Sequence, residues 1–126
     1  MQRKTVAVVG ASSDPKKFGN KAVRAYLNQG WDVYPVNPRG GEVEGFRVYT
    51  ALEDIPVKLD RITLYVPPQV GLTLLPVIAK LQPAELFVNP GAESDELLER
   101  ARALGLDPVV ACSILAIGQT PASFPD

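Results

Sequence analysis

The chain has 126 residues, of which 46% are hydrophobic and 21% are charged. This composition is typical of a folded globular protein, and the length predicts a single domain over residues 1–126. The net charge of −1 disfavours a general nucleic-acid binder, and the absence of histidine excludes Ser-His-Asp and Cys-His catalysis and His-ligated metals.

Short apolar runs alternate along the chain with segments of helical period. In the first part of the chain, the pattern predicts a strand over 5–9, a helix over 19–29 closed by Gly30, a strand over 31–36 and a loop over 37–45. A capping-box helical turn is predicted from Thr50, and Pro56 ends it. The remainder is predicted to form a strand over 61–66, a helix from Pro67 to about Leu81, a strand over 84–88, a helix over 94–104 and a strand over 107–111.

This alternation predicts an α/β fold, namely a three-layer, doubly wound (Rossmann-like) parallel sheet of about five strands with helices on both faces. Pro35 in the second strand predicts an edge position or the end of that strand, because proline donates no ladder hydrogen bond. The tail from Cys112 is too short for another strand–helix unit.

Ligands of such sheets bind at the carboxyl ends of the strands, so the loop GASSDPKKFGN after the first strand is the first candidate site. Gly10 permits a close backbone approach, and the amides near Ser12, Ser13 and the helix start are suited to phosphate oxygens. Lys16 and Lys17 add positive charge. A turn with a serine N-cap needs no ligand and remains the alternative.

The second candidate is the segment Val36-Asn37-Pro38-Arg39, where the second strand ends. A nicotinamide-adenine site has a carboxylate at this place for the ribose 2′-hydroxyl, and this chain has none. Arg39 instead suits an extra ribose phosphate, which NADP and coenzyme A both carry. An exposed loop cation without a ligand is the alternative.

Positive charge is concentrated in the first part of the chain. Residues 1–47 contain eight basic and four acidic side chains, whereas residues 48–126 contain five basic and ten acidic ones. A small polyanionic ligand explains this asymmetry, and chance is the alternative.

The motifs GASSDPKKFGN, VYPVNPR, YTALEDIP and YVPP together resemble the CoA-binding domain. That domain occurs in succinyl-CoA synthetase alpha subunits, in ADP-forming acyl-CoA synthetases and as small stand-alone bacterial proteins. The resemblance extends from Thr5 to about Gln119, and it implies a site for coenzyme A.

The resemblance also implies roles for individual residues. It assigns to the phosphate-binding loop Gly10, Ala11, Ser12, Ser13, Lys17, Phe18, Gly19 and Asn20. It assigns to the side of the adenosine and its 3′-phosphate Asn37, Pro38 and Arg39, and to the flank of the nucleotide and pantetheine Val66, Pro67 and Pro68. The segment 89–91 occupies the place of the fourth loop but matches the synthetase motif poorly.

The synthetases also use a phosphorylated histidine and an ATP-grasp partner, and this chain has no histidine. We therefore expect a binding module for coenzyme A or an acyl-CoA with no catalysis of its own. Two alternatives remain open: a small NADP-dependent reductase, with Tyr65 as an acid, or a non-catalytic subunit that delivers the coenzyme to a partner enzyme. A homodimer is also an open possibility.

The single cysteine, Cys112, excludes an intrachain disulfide and follows the last predicted strand. It is either a buried small hydrophobe or a thiol that forms a mixed disulfide with the coenzyme. No apolar run approaches the roughly 20 residues of a membrane span, and the N-terminus lacks a signal-peptide pattern. We expect a cytoplasmic protein with no membrane partner. The carboxylates of Glu93, Asp95, Glu96 and Glu99 fit a solvated helix face better than a metal site.

Overall fold

The computed structural model describes residues 3–126. In chain order its strands and helices are β1 (Thr5–Val9), α1 (Phe18–Asn28), β2 (Asp32–Val36), β3 (Glu42–Val43), β4 (Phe46–Arg47), β5 (Arg61–Leu64), α2 (Pro68–Leu81), β6 (Glu85–Val88), α3 (Asp95–Ala103), β7 (Pro108–Val110) and α4 (Ser113–Ala116). Single 3₁₀ turns lie at Leu52–Asp54 and Pro121–Ser123. None of the helices within these residues is long and apolar enough to cross a bilayer.

Five strands form one parallel sheet in the order β2-β1-β5-β6-β7. The predicted doubly wound sheet is therefore confirmed. The strand order reverses between β1 and β5, and in open α/β sheets this reversal opens a crevice at the carboxyl ends of the strands. β2 lies at one edge of the sheet, which is the first of the two alternatives that Pro35 left open, and the strand continues past Pro35 to Val36.

Two apolar cores lie on opposite faces of the sheet. Ala7 and Val9 of β1 pack into the core beneath α2 and α3, and Val6 and Val8 pack into the core beneath α1 and α4. Successive side chains of a strand point to opposite faces, so a strand covered on both sides reads as a continuous apolar run. This explains the run of residues 5–9.

The loop predicted over 37–45 contains one strand of a hairpin that the sequence pattern did not predict. β3 and β4 pair in antiparallel fashion around Glu44 and Gly45, whose φ angles are 51° and 82°. Such a pair of positive φ angles suits a two-residue hairpin turn. Strands of two residues are too short for a period to be visible, and the buried Val43 and Val48 hold the hairpin against the second core.

Two further details differ from the sequence pattern. The capping box at Thr50 does not form, because the 3₁₀ turn begins after Ala51 and the Asp54 amide donates to the Ala51 carbonyl instead. The tail contains α4, whose Ile114 is fully buried in the second core. The tail thus completes the layer that α1 begins.

Candidate ligand-binding site

A cavity of about 660 Å³ opens at the carboxyl ends of the parallel strands. Ligand-binding pockets commonly have volumes of roughly 300–1,000 Å³. The segments that follow all five strands of the sheet contribute to its lining: residues 10–19 after β1 (the first loop), 37–43 after β2 (the second loop), Tyr65 after β5, 89–92 after β6 and Cys112 after β7.

The structure brings the first two predicted segments to one cavity. Of the predicted residues, those that line it are Gly10, Ala11, Ser12, Ser13, Lys17, Phe18, Gly19, Asn37, Pro38 and Arg39. The others lie outside the lining. Asn20 is buried beneath the first loop, Val66 packs beside Gly10, and Pro67 and Pro68 form the start of α2.

Two glycines allow α1 to start directly against the end of β1. Gly10 has a φ of +93°, and a Cβ atom there would overlap the carbonyl oxygen of Tyr65. A Cβ atom at Gly19 would overlap the carbonyl oxygen of Gly10. Any larger residue at either position therefore has to push one main-chain segment away from another. The two glycines thus let the first loop lie close to the place where the strand order reverses between β1 and β5.

The first loop is shaped by its own polar groups. The Ser12 hydroxyl accepts a hydrogen bond from the Asp14 amide, and the Asp14 carboxylate accepts one from the Lys16 amide, each at 3.0 Å. Among residues 3–126, no acceptor is found for the free amides, which we define as the backbone N–H groups of Ser12, Ser13, Phe18 and Gly19. The first turn of α1 has neither a side-chain cap nor an acidic residue. These donors and the helix dipole favour an anion at this end of the cavity.

Two asparagines connect the segments around the cavity. Asn37 donates to the carbonyl oxygen of Ala11 at 3.0 Å and accepts from the amides of Arg39 and Gly40. Asn20 donates to the carbonyl oxygen of Ser12 at 2.9 Å and to Glu44 of the hairpin at 3.2 Å. The first loop is therefore fastened to both the second loop and the hairpin.

The cations at the rim are available to a ligand. The side chains of Lys17 and Arg39 are exposed, and no carboxylate within residues 3–126 pairs with either of them. Glu42 of β3 also lines the cavity, so the rim carries one carboxylate beside its cations. The described residues contain no cluster of three or more side chains that suits a metal ion.

A buried polar cluster lies at the base of the cavity and consists of Thr63, Tyr65, Asn89 and Ser113. Tyr65 and Asn89 of this cluster also line the cavity. Asn89 donates to the Thr63 hydroxyl at 2.7 Å and accepts from the Ser113 amide at 2.9 Å. The Ser113 hydroxyl lies 2.8 Å from that of Thr63 and 3.1 Å from that of Tyr65. Burial raises the pKa of Tyr65 well above its usual value of 10, so the phenol is neutral in this site.

Four lining residues were not predicted from the sequence as site residues, namely Gly40, Glu42, Val43 and Ala92. Tyr65 and Cys112 entered the sequence analysis through the reductase and mixed-disulfide alternatives, and the segment 89–91 as the place of the fourth loop; all of them line the cavity. Each follows a strand of the sheet, which is the signal that also identified the first two segments. The hairpin residues carry no such signal, because the hairpin itself is not visible in the pattern.

Comparison with known proteins gives a consistent family. A family model described as a CoA binding domain matches residues 4–119. The chain is 32% identical to the alpha subunit of an ADP-forming acetate–CoA ligase I from Pyrococcus furiosus, and the match covers 96% of this chain and 29% of that subunit. It is 35% identical over 112 residues to the alpha subunit of ligase II from the same organism, which covers 80% of this chain and 24% of that subunit. The chain thus spans less than a third of the length of these relatives.

The fold has a solved counterpart of similar size. A conserved hypothetical protein from Pyrococcus furiosus superposes with a TM-score of 0.81 at 33% identity. The superposition covers 91% of this chain and 99% of that one. The similarity therefore extends over nearly all of that protein.

Proposed function

Because the chain belongs to the CoA-binding domain family, we propose that it binds coenzyme A or an acyl-CoA in the cavity above the sheet, without catalysis of its own. The observation that carries the proposal is the convergence on one cavity of the free amides, the Lys17 ammonium and the Arg39 guanidinium. Coenzyme A presents a diphosphate and a ribose 3′-phosphate. These phosphates match amide donors at a helix start and a separate cation on the second loop.

The groups available in this chain support a binding role rather than a reaction. The sequence has no histidine. It therefore lacks the residue type that is phosphorylated in the synthetases it resembles. Tyr65, the acid of the reductase alternative, holds its proton more tightly than a free phenol because burial raises its pKa. A group of this kind is poorly matched to proton transfer near neutral pH.

A second candidate function follows from the names of the relatives. Both are alpha subunits of acetate–CoA ligases, so those enzymes contain a further kind of subunit. This favours the candidate that the chain delivers bound coenzyme to a partner acyl-CoA enzyme. Such a role needs the same ligand in the same cavity, so the ligand is tested first.

Calorimetric titration with coenzyme A, dephospho-coenzyme A and NADPH tests the ligand. We expect coenzyme A to bind, dephospho-coenzyme A to bind more weakly, and NADPH to bind least. No heat of binding with millimolar coenzyme A contradicts the proposal. Tighter binding of NADPH than of coenzyme A favours the reductase alternative instead.

The contact with the 3′-phosphate is tested by Arg39→Gln. We expect this variant to lose about tenfold in affinity for coenzyme A and little for dephospho-coenzyme A, since a charge-assisted hydrogen bond is removed only in the first case. The matched control is Arg47→Gln, because Arg47 is an exposed arginine of the hairpin that stacks on Tyr49 and does not line the cavity. Equal losses for both ligands contradict the contact.

A further inference from the structure

Arg24 connects the first loop to the end of the chain. Its Nη2 donates to the carbonyl oxygen of Pro15 at 3.1 Å and to that of Phe124 at 3.2 Å. Pro15 lies in the middle of the first loop, and Phe124 lies in the segment 120–126, here called the anchor segment. Neither Arg24 nor any residue of the anchor segment lines the cavity.

Pro15 is the point of the first loop where an outside contact matters most. Its neighbours are held within the loop, because the amides of Lys16 and Lys17 both donate to Asp14. Proline has no amide hydrogen, so its carbonyl oxygen is its remaining main-chain polar group. Within residues 3–126, that oxygen accepts a hydrogen bond from Arg24 alone.

The anchor segment is itself tied to α1 by two cations. The Arg24 guanidinium lies over the Phe124 ring, with 5.8 Å between Cζ and the ring centroid. Lys21 Nζ donates to the Phe124 carbonyl oxygen and pairs with the Asp126 carboxylate at 3.1 Å. The Lys21 side chain is only 11% exposed, so its ammonium depends on these partners for the solvation it has lost.

We propose that Arg24 is a positioning residue for the first loop, and that the anchor segment fixes the Arg24 guanidinium in the geometry this requires. The free amides converge only while the middle of the first loop keeps its place, and the Arg24–Pro15 hydrogen bond holds that place from outside the cavity. As far as it concerns a ligand, this inference rests on the proposed function.

The effect on the loop is measured without ligand. We expect the NMR order parameters of the Asp14, Lys16 and Lys17 amides to fall from about 0.85 in the parent protein to below about 0.6 in Arg24→Ala. The matched control is Arg3→Ala, which also removes an arginine that donates to main-chain carbonyls. Arg3 donates to the carbonyl oxygens of Gly30 and Trp31 beyond the other end of α1. We therefore expect its removal to leave the order parameters of the first loop unchanged.

The effect on binding is measured by titration with coenzyme A. We expect Arg24→Ala to weaken binding about fivefold to tenfold and Arg3→Ala by less than about twofold. Arg24→Lys retains a charged donor near Pro15 and recovers part of the loss. The difference between the variants persists in high salt, because it arises from loop geometry, whereas an effect of net charge alone is screened.

The outcomes separate this inference from the proposed function. Parent-like order parameters and affinity in Arg24→Ala overturn the inference, and so does an equal loss in Arg3→Ala. If Arg24→Ala does not fold, the variant Phe124→Leu replaces it, because it keeps the main-chain carbonyl at position 124 and removes the ring. We expect it to change the order parameters and the affinity less than Arg24→Ala but in the same direction. Parent-like values in Phe124→Leu contradict the role of the anchor segment. If the parent protein does not bind coenzyme A but Arg24→Ala still lowers the order parameters of the first loop, the proposed function is contradicted and the positioning role of Arg24 is supported.

Discussion

At the residue scale, the two glycines of the first loop serve a purpose that no side chain can replace. Gly10 needs its positive φ, whereas Gly19 has an ordinary conformation and is required only for space. The third glycine of the dinucleotide fingerprint has the same physical task of close helix–strand packing. Gly19 therefore couples the stability of the fold directly to the shape of the site.

We expect Gly19→Ala to lower the free energy of unfolding by about 2–3 kcal/mol, since the new methyl group meets the main-chain oxygen of Gly10. The matched control is Gly30→Ala at the other end of α1. Gly30 has a φ of +81° but no atom within 4 Å of an added Cβ, so it loses only about 1 kcal/mol. Urea denaturation measures both values, and an equal cost for the two variants contradicts the steric explanation.

Cys112 is the single cysteine of the chain, and it is half-buried in the lining of the cavity. We expect saturating coenzyme A to slow its alkylation by iodoacetamide, because a ligand that fills the cavity covers the sulfur. Intact-mass spectrometry gives the rate. An unchanged rate at saturating ligand places the bound ligand away from Cys112.

The same mass measurement tests the mixed-disulfide hypothesis. Incubation with oxidised coenzyme A gives a protein–coenzyme disulfide if the Cys112 thiolate attacks the disulfide bond and releases one equivalent of reduced coenzyme. A spectrum without the adduct leaves Cys112 with a packing role only.

At the scale of the elements, the buried polar cluster joins β5, β6 and the start of α4. Asn89 is central to it, because its amide donates to Thr63 and to the Leu64 carbonyl while its oxygen accepts from Ser113. Every buried polar group that these bonds satisfy avoids a desolvation cost of about 1–3 kcal/mol. The cluster thereby fixes where α4 begins and, with it, the position of Cys112.

We expect Tyr65→Phe to flatten the decline of stability in alkaline solution. Burial raises the pKa of Tyr65 in the folded state above its unfolded value near 10. Its contribution is thus complete below pH 10 and is lost as the pH rises further, at up to about 1.4 kcal/mol per pH unit. Urea denaturation between pH 8 and 11 measures the slope, with Tyr49→Phe as the control outside the cluster. Parallel curves for Tyr65→Phe and the parent contradict the assignment.

At the scale of the whole molecule, the chain separates a basic first part from an acidic remainder. Residues 1–47 supply α1, β2, the hairpin and the two loops whose cations line the cavity. A net charge of −1 therefore coexists with a positively charged binding rim. Such a rim attracts polyanions over the short distances at which dissolved salt does not screen its charge.

We expect the affinity for coenzyme A to fall as the salt concentration rises, and the affinity for dephospho-coenzyme A to fall less steeply because it carries fewer charges. Titrations at low and high sodium chloride concentrations measure both slopes. Affinities that do not respond to salt contradict an electrostatic role for the rim.

Much of the fold could be predicted from the sequence because its signals are local. The apolar run of residues 5–9 and the helical periods identify the parallel sheet, and Pro35 identifies its edge strand. Gly10, Ser12, Ser13 and Arg39 were predicted as site residues from their place after buried strands. The structure brings them to one cavity, while their contact with a ligand, like the single-domain organisation, stays a prediction.

Only the tertiary structure decided the features that depend on distant contacts. Asn20 is a buried connection instead of a lining residue, because its amide group donates to both the Ser12 carbonyl oxygen and the Glu44 carboxylate. The Arg24 bridge joins residues that are 109 apart in the chain, Pro15 and Phe124. Local periodicity carries no information about such pairs, because they form only when packing on the α1 face of the sheet brings the hairpin and the anchor segment against α1.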